Sequence, residues 1–232
     1  MAYIKRSYRS SFSQDDMVHF QVAYKSSDLD IGIPRDRYLP TFVGRAQAIV
    51  RAYHRQLQAY IDEHPAFGFS LVPCAAWAQA PAIAKDMAAA AELAGVGPMA
   101  AVAGAVAQYT ALDLVGDEAE IIIENGGDIY LNTSKSRTIG IFTGEGSVFN
   151  NRLALKVKAS SNPMGICTSS GTVGPALSFG CADAAIIIAK SPILADAVAT
   201  ATGNRVKEPA DVGKAASFAA SIPGVLGAVV MA

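Results

Sequence analysis

The chain has 232 residues, of which 51% are hydrophobic and 17% are charged. This length is enough to bury one core and does not require two, so we expect a single domain over residues 1–232. Nineteen basic and twenty acidic side chains leave a net charge of -1, which excludes the strongly basic field that gathers nucleic acid or anionic membrane. The composition favours a small-molecule or protein partner, and its apolar share is compatible with a homodimer.

The first residues become charged before an apolar run can form, which is not the pattern of a secretory signal. We therefore expect a cytoplasmic protein. Two long uncharged stretches, residues 93–112 and 215–232, consist mainly of small side chains, which predicts buried packing elements rather than membrane spans. The three cysteines, Cys74, Cys167 and Cys181, are odd in number and lack the spacing of a zinc site or a disulfide framework.

The predicted elements alternate between helices and short strands. Residues 3–12 and 17–36 have the partial alternation of two half-exposed strands around a polar turn. Further along the chain we expect helices at 39–64, 81–93, from 98 onward, at 191–204 and at 211–221, and strands at 119–124, 128–132, 137–143, 152–159, 182–190 and 224–232. This order predicts an α+β fold with helices packed on a largely antiparallel sheet.

The helix at 191–204 has strong end signals, because Ser191 suits the cap, Pro192 the first turn and Gly203 the end. Within it, Asp196 and Thr200 lie four residues apart and therefore share one face. Mg²⁺ prefers hard oxygen ligands and is commonly held by one or two carboxylates with waters and substrate phosphates. The pair predicts a metal site if a phosphate completes the coordination shell, although such a pair also arises by chance.

The motif ENGGDIYL places two glycines directly before an acid. Gly126 and Gly127 can adopt backbone angles that are closed to other residues, and they let a ligand approach the main chain beside Asp128. A tight turn without a ligand would explain the same glycines.

The motif GICTSSGTVG concentrates small hydrogen-bond donors. The hydroxyls of Thr168, Ser169, Ser170 and Thr172, with the backbone amides around Gly171, could form a nest for phosphate or carboxylate oxygens. The motif is not a Walker loop, since no Gly-Lys-Ser/Thr follows. A polar loop without a ligand remains an equal alternative.

The order of these motifs, NGGDIY, then TSSG, then ADAVAT, resembles the C-terminal half of the ApbE superfamily, the magnesium-dependent FAD:protein FMN transferases. The signature CTSSGTVG, followed by LSFG and ADA, is more similar to a shorter, uncharacterised ApbE-like family. The resemblance covers residues 95–204. It implies an ApbE-like α+β fold in which the helix of Asp196 and Thr200 approaches the phosphates of a ligand.

The resemblance also implies roles for individual residues. Asp196 and Thr200 match the metal-binding Asp and Thr of the transferases, and Gly126, Gly127 and Asp128 match their GGD turn. The transferases' TSG loop corresponds to Thr168, Ser169 and Gly171, with Ser170 as an insertion.

The chain departs from the transferases in two segments. It has GPMAAVAGAVAQ where they carry a lysine-glycine pair followed by an aspartate. Their later segment with His, Asp-Pro and Thr-Gly is replaced by GTVGPALSFG, in which Pro175 stands where a histidine would be expected.

Three functional hypotheses follow. In the first, a phosphorylated ligand such as FAD or FMN binds with Mg²⁺ on a transferase-type enzyme, and the metal polarises a phosphoryl oxygen. In the second, Cys167 is the nucleophile of a thiol-dependent, sulfur-transfer type enzyme, with its pKa lowered by amides of a glycine-rich turn, while Cys74 and Cys181 are buried. In the third, the chain is a non-catalytic ligand-binding protein.

Overall fold

The structure is a computed structural model that describes residues 14–116, 119–143, 147–149, 152–160, 162–171 and 178–232. The strands are β1 (Met17–Tyr24), β2 (Ser27–Pro34), β3 (Ile121–Asn125), β4 (Asp128–Asn132), β5 (Arg137–Gly140), β6 (Ala154–Val157), β7 (Met164–Ser169), β8 (Ala184–Ala189) and β9 (Val225–Met231). The α-helices are α1 (Thr41–Glu63), α2 (Pro65–Phe69), α3 (Ala82–Ala94), α4 (Val102–Val115), α5 (Pro192–Gly203) and α6 (Val212–Ser221). Short 3-10 helices span Pro98–Ala101 and Pro209–Asp211.

Seven strands form one sheet in the order β1-β2-β3-β4-β7-β8-β9, and every neighbouring pair is antiparallel. Strands β5 and β6 form a separate antiparallel hairpin. The predicted α+β class with helices on a largely antiparallel sheet is confirmed. This topology brings β4 and β7 side by side, although β5 and β6 lie between them in sequence.

The N-terminal region differs from the prediction. Residues 17–36, expected as a single strand, form the hairpin of β1 and β2, in which Tyr24 pairs with Ser27. Lys25 adopts a positive φ of 52° at the turn, a backbone angle that sequence alternation does not reveal. The other strand expected in this region, at residues 3–12, lies outside the described residues.

The helix at 191–204 was predicted correctly. Helix α5 begins at Pro192, and the side-chain oxygen of Ser191 accepts a hydrogen bond from the Leu194 amide at 3.2 Å. Its side chains are almost all buried, so α5 lies in the core between the sheet and α3 and α4.

The pleat of the sheet separates two apolar clusters. On the helix side, Cys167 of β7 and Ile187 of β8 belong to the main core together with side chains of α1, α3, α4 and α5. On the other side, Ile166 and Ile186 pack with side chains of the β5–β6 hairpin. Because successive strand residues face opposite sides, only alternate residues of the motifs can meet the helices.

The stretch Pro98–Val115 is the one helical stretch in the described part of the chain that is long and apolar enough to cross a membrane, and half of it is buried within the fold. Helix α4 packs against α5, β3 and β4. The predicted lack of a membrane partner stays a prediction.

Candidate ligand and metal site

The GGD turn and the Cys-Thr-Ser segment lie on neighbouring strands. In the antiparallel pairing of β4 with β7, Ile129 lies opposite Ile166. Extending this register by one residue places Asp128 beside Cys167. Gly126 and Gly127 form the two-residue turn between β3 and β4, with φ angles of 73° and 105°. Positive φ at both positions is typical of a tight hairpin turn, so the turn itself requires these glycines.

Asp196 on α5 brings a second carboxylate beside Asp128. Asp128 and Asp196 are only 7% and 8% exposed. Burial and the negative charge of Asp128 raise the pKa of Asp196 well above its usual range. Among the described residues, no lysine or arginine forms an ion pair with Asp196. The two acids therefore form a buried pair of like charge.

The N-terminal end of α4 completes this arrangement. The Gly104 amide donates to Oδ2 of Asp196 at 2.9 Å, and the backbone of Ala103 provides a further hydrogen bond. Both amides carry the positive partial charge of a helix N-terminus, which favours a carboxylate. They hold the Asp196 side chain in place beside Asp128.

Sequence reasoning missed Ala103 and Gly104. A Cβ atom at position 104 would lie 2.3 Å from the carbonyl oxygen of Pro192 and 3.0 Å from Cβ of Asp196, so only glycine allows α4 to approach α5 this closely. The signal in the sequence was the single glycine within AAVAGAVA, which suggests close packing but does not name its neighbour.

Asn125 was also missed, although it directly precedes the two glycines. Its Nδ2 donates to the carbonyl oxygen of Ala103 at 3.1 Å, and its Oδ1 accepts from the Asp28 amide at 3.2 Å. Asn125 thus links the GGD turn to the beginning of α4 and to β2, which fixes the position of Asp128 relative to Asp196.

The expected environment of Cys167 was wrong. Cys167 lies within β7 rather than in an open loop, is fully buried, and its thiol donates to the carbonyl oxygen of Pro192 at 3.4 Å. Burial and the nearby charges of Asp128 and Asp196 raise the pKa of the thiol well above its usual range. The physical reason is the pleat, which turns this residue under α5. A catalytic role for Cys167 stays a prediction.

The other two cysteines were expected to be buried. Cys181 is exposed and Cys74 is half-buried, so the expectation was wrong for Cys181. This residue precedes the buried strand β8 and lies outside its apolar run.

The hydroxyl motif does not form one cluster. Thr168 and Ser169 are consecutive residues of β7 and so face opposite sides of the sheet. Ser169 faces α5, where its Oγ would lie 3.3 Å from a Cβ built on Gly203. Ser170 and Gly171 follow the strand, and Thr172 lies outside the described residues.

Close backbone contacts explain two glycines of this region. A Cβ at Gly171 would lie 2.2 Å from the carbonyl oxygen of Gly180, and a Cβ at Gly180 would lie 1.9 Å from that of Gly203. Gly171 therefore lies against Gly180, and Gly180 packs on the C-terminal end of α5.

Thr200 lies one turn after Asp196 on α5 and is half-buried. Its described hydrogen bond is made by the backbone carbonyl, which accepts from the Asn204 amide. The described residues contain no group of three or more His, Cys, Asp or Glu side chains arranged to hold a metal ion. Within the described residues the site offers a carboxylate pair, and hydroxyls, backbone carbonyls, waters or a bound anion could supply further oxygen ligands.

Comparison with known proteins matches this chain to a family over almost its whole length. The family model described as "AbpE bacteria" matches residues 9–223. The UPF0280 protein of Methanococcus aeolicus is 38% identical over 191 residues, covering 81% of this chain and 75% of that protein. The UPF0280 protein of Methanocella arvoryzae is 41% identical over 175 residues, covering 75% of this chain and 71% of that protein.

The fold resembles that of a solved flavinyl transferase. The apo form of ApbE from Pseudomonas stutzeri aligns over 94% of this chain and 95% of that one, with a TM-score of 0.55 and 14% sequence identity. Such low identity supports the fold alone. The family match, the two UPF0280 relatives and this structural likeness confirm the resemblance that the motifs indicated: the chain belongs to the AbpE bacteria family and has an ApbE-like α+β fold.

Proposed function

We propose that this protein binds a phosphorylated ligand, a flavin nucleotide such as FAD or FMN, together with Mg²⁺ beside Asp128 and Asp196, and that it acts as a transferase. The observation that carries the proposal is the convergence of two buried carboxylates at the N-terminal end of α4. The flavinyl transferase activity named for the Pseudomonas stutzeri structure supports the choice of ligand.

The residues present fit a magnesium ion. Two like charges buried together are unfavourable unless a cation accompanies them or one acid takes a proton. Carboxylate oxygens are ligands that Mg²⁺ prefers, and the ion commonly keeps waters and substrate phosphates in its remaining positions. Asp196 and Thr200 would hold the metal, with Asp128 as the neighbouring acid.

A magnesium ion held by Asp196 and Thr200 would polarise a phosphoryl oxygen of the ligand. The chain's own residues position the groups around it: the Ala103 and Gly104 amides orient the Asp196 carboxylate, and Asn125 holds the GGD turn against the same helix end.

A purely structural explanation makes a different prediction. Asp196 could serve only as a cap for the N-terminal amides of α4, since a carboxylate satisfies such donors well. A cap alone would require no neighbouring carboxylate and would give no metal dependence. The presence of Asp128 in the same buried place favours the metal proposal.

The second hypothesis, thiol chemistry at Cys167, loses its physical support. A nucleophilic cysteine needs access and a stabilised thiolate, whereas Cys167 is fully buried with a raised pKa. The third hypothesis, non-catalytic ligand binding, uses the same acid pair and differs only in the absence of transfer.

Nucleotide retention with and without Mg²⁺ tests the binding part of the proposal. FAD or FMN would be mixed with the protein and separated by ultrafiltration, and we expect more nucleotide to be retained when Mg²⁺ is present. Asp196→Asn should abolish the increase, while Asp36→Asn, at an exposed position on another part of the chain, should retain it. Equal retention with and without Mg²⁺ would reject the metal site.

Covalent flavin fluorescence on a gel tests the transfer part. We expect no strong band with a flavin-acceptor peptide of the transferases, because GPMAAVAGAVAQ replaces their lysine-glycine segment, and we place the proposed transfer on another acceptor. A bright band would show that this chemistry survives without the lysine. Nucleotide binding with no covalent transfer of flavin would support the non-catalytic hypothesis.

A further inference from the structure

A surface cleft lies at the C-terminal end of α1, beside α2. It encloses about 250 Å³ and is lined chiefly by Tyr60, Glu63, His64, Phe67, Cys74 and Trp77. None of these residues belongs to the acid-pair site, and none was singled out as a binding residue by the motifs.

Aromatic rings form most of the wall, and they pack on one another. His64 is stacked on Trp77 with ring centroids 4.3 Å apart. The Tyr60 ring is tilted against His64 and T-shaped to Phe67, with centroid separations of 4.8 and 5.0 Å. The Tyr60 hydroxyl also accepts a hydrogen bond from the Trp77 amide at 3.0 Å. The rings are therefore held in fixed positions although Trp77 is 62% exposed.

The cleft is electrostatically suited to a cation. Glu63 is the last residue of α1, a helix of 23 residues whose final turn contains no basic side chain. A helix C-terminus carries a negative partial charge, and the aromatic faces present negative electron density. The lining includes no lysine or arginine.

The surrounding surface is unusually apolar. Residues 65–84 contain no Asp, Glu, Lys or Arg, and Phe69, Leu71 and Val72 are largely exposed. Exposed apolar surface of this kind marks a binding site more often than a bare solvent face.

We propose that this cleft binds a small organic ammonium ion, a quaternary or alkylated amine, through cation–π contact with the exposed Trp77 ring and the charge of Glu63, with the buried Tyr60 and Phe67 rings supporting the wall from behind. Aromatic walls with a nearby acid are the recurrent way in which proteins recognise such groups. The volume of about 250 Å³ lies below the usual range for drug-sized ligands, so a headgroup of this size fits where a nucleotide does not. The proposal does not rest on the transferase function.

Trp77 is the chain's one tryptophan, so its emission reports directly on the cleft. The probe is choline chloride, titrated at pH 8 and constant ionic strength. The matched neutral probe is 3,3-dimethyl-1-butanol, in which carbon replaces the charged nitrogen. We expect a saturable change in emission with choline and a much weaker response with the alcohol. Glu63→Gln should weaken choline binding by about threefold, whereas Glu92→Gln, at an exposed position of α3, should leave it unchanged.

A second measurement keeps the test independent of the fluorophore. Saturation-transfer NMR on the choline methyl signal should detect binding to the native chain and a large loss with Trp77→Ala, after circular dichroism has shown that the variant is folded. An equal response to the neutral alcohol, the same affinity in Glu63→Gln and Glu92→Gln, or no saturable response to choline would each overturn the proposal.

Discussion

Two acidic clusters of this protein have opposite electrostatic surroundings. Near the β5–β6 hairpin, the Arg137 side chain is 3% exposed and contacts Asp16 at 2.6 Å and Glu120 at 2.7 Å. At the N-terminal end of α4, Asp196 lies beside Asp128, and no basic side chain among the described residues forms an ion pair with Asp196. A buried cation with paired acids is a structural arrangement, whereas a buried like-charge pair is a frequent mark of function.

The pKa shifts of the two clusters have opposite signs. Hydrogen bonds from Arg137 and Lys135 hold the pKa of Asp16 below its usual range. For Glu120, burial is the largest single effect and raises the pKa, but the hydrogen bonds from Arg137, Thr133 and Ser134 together with the charge of Arg137 lower it overall. Burial and Asp128 raise the pKa of Asp196. The fold therefore stabilises the charged forms of Asp16 and Glu120 and disfavours the charged form of Asp196.

The largest expected effect is the loss of the buried cation. Arg137→Met should lower the free energy of unfolding by about 3 kcal/mol, because it leaves Glu120 without its basic partner and leaves Asp16 with Lys135 alone. Urea denaturation would measure it. Lys135→Met is the matched control, since Lys135 contacts the same Asp16 at 2.8 Å but is 61% exposed, and it should cost less than about 1 kcal/mol. Similar losses in both variants would show that burial does not distinguish the two pairs.

Removing one charge from the Asp128–Asp196 pair should raise the stability of the fold, the opposite of the effect expected for Arg137→Met. Since the folded-state pKa of Asp196 is raised, the stability that this group contributes falls as the pH rises above its ordinary value of 3.8. At pH 8 without Mg²⁺, Asp196→Asn should therefore raise the unfolding temperature by about 2–4 °C. Differential scanning calorimetry would measure the change, with Asp36→Asn as the neutral control. A lower melting temperature for Asp196→Asn would show that the carboxylate acts mainly as a helix cap.

Acid should weaken the Arg137 cluster. Because the folded-state pKa values of Asp16 and Glu120 are depressed from 3.8 and 4.5, the stability they contribute is present above that range and is lost as the pH falls through and below it. Asp16 is partly exposed, so we expect a loss of about 1 kcal/mol between pH 5 and pH 2.5. Urea denaturation at these two pH values should show the loss in the native chain and a smaller one in Arg137→Met. Parallel pH profiles in the two proteins would contradict this assignment.

Cysteine labelling distinguishes the open surface from the buried site. Brief treatment with limiting iodoacetamide should modify Cys181 first, Cys74 more slowly and Cys167 least, as their exposure dictates. Mass spectrometry of peptides would give the order. Early labelling of Cys167 would show that the region around α5 opens in solution and would restore the thiol hypothesis.

Much of the fold was predictable because its signals are local. The cap at Ser191 and the apolar runs of β3, β4 and β8 each act over a few residues, and the helix and strands formed where expected. The turn at Lys25 was not predictable, since a non-glycine residue with positive φ has no strong sequence mark.

The candidate site was only partly predictable because it depends on contacts between distant segments. The motif order suggested Asp128 and Asp196, but sequence spacing could not show that α4 brings Ala103 and Gly104 against the Asp196 carboxylate. Cys167 was misplaced because the glycines after it suggested a loop, whereas its own segment continues the strand. The single domain, the homodimer and the cytoplasmic location stay predictions.

Calorimetric titration of Mg²⁺ in the presence of FAD tests most directly whether a cation compensates the like-charge pair. The native chain should bind the ion weakly alone and at least about tenfold more tightly with FAD, a coupling of about 1.4 kcal/mol. Asp196→Asn should lose this coupling, and Arg137→Met, if folded, should retain it because its charges belong to the other cluster. If Mg²⁺ has no effect on FAD binding in the native chain, or if Asp196→Asn binds both as the native chain does, the carboxylate pair is not a metal site.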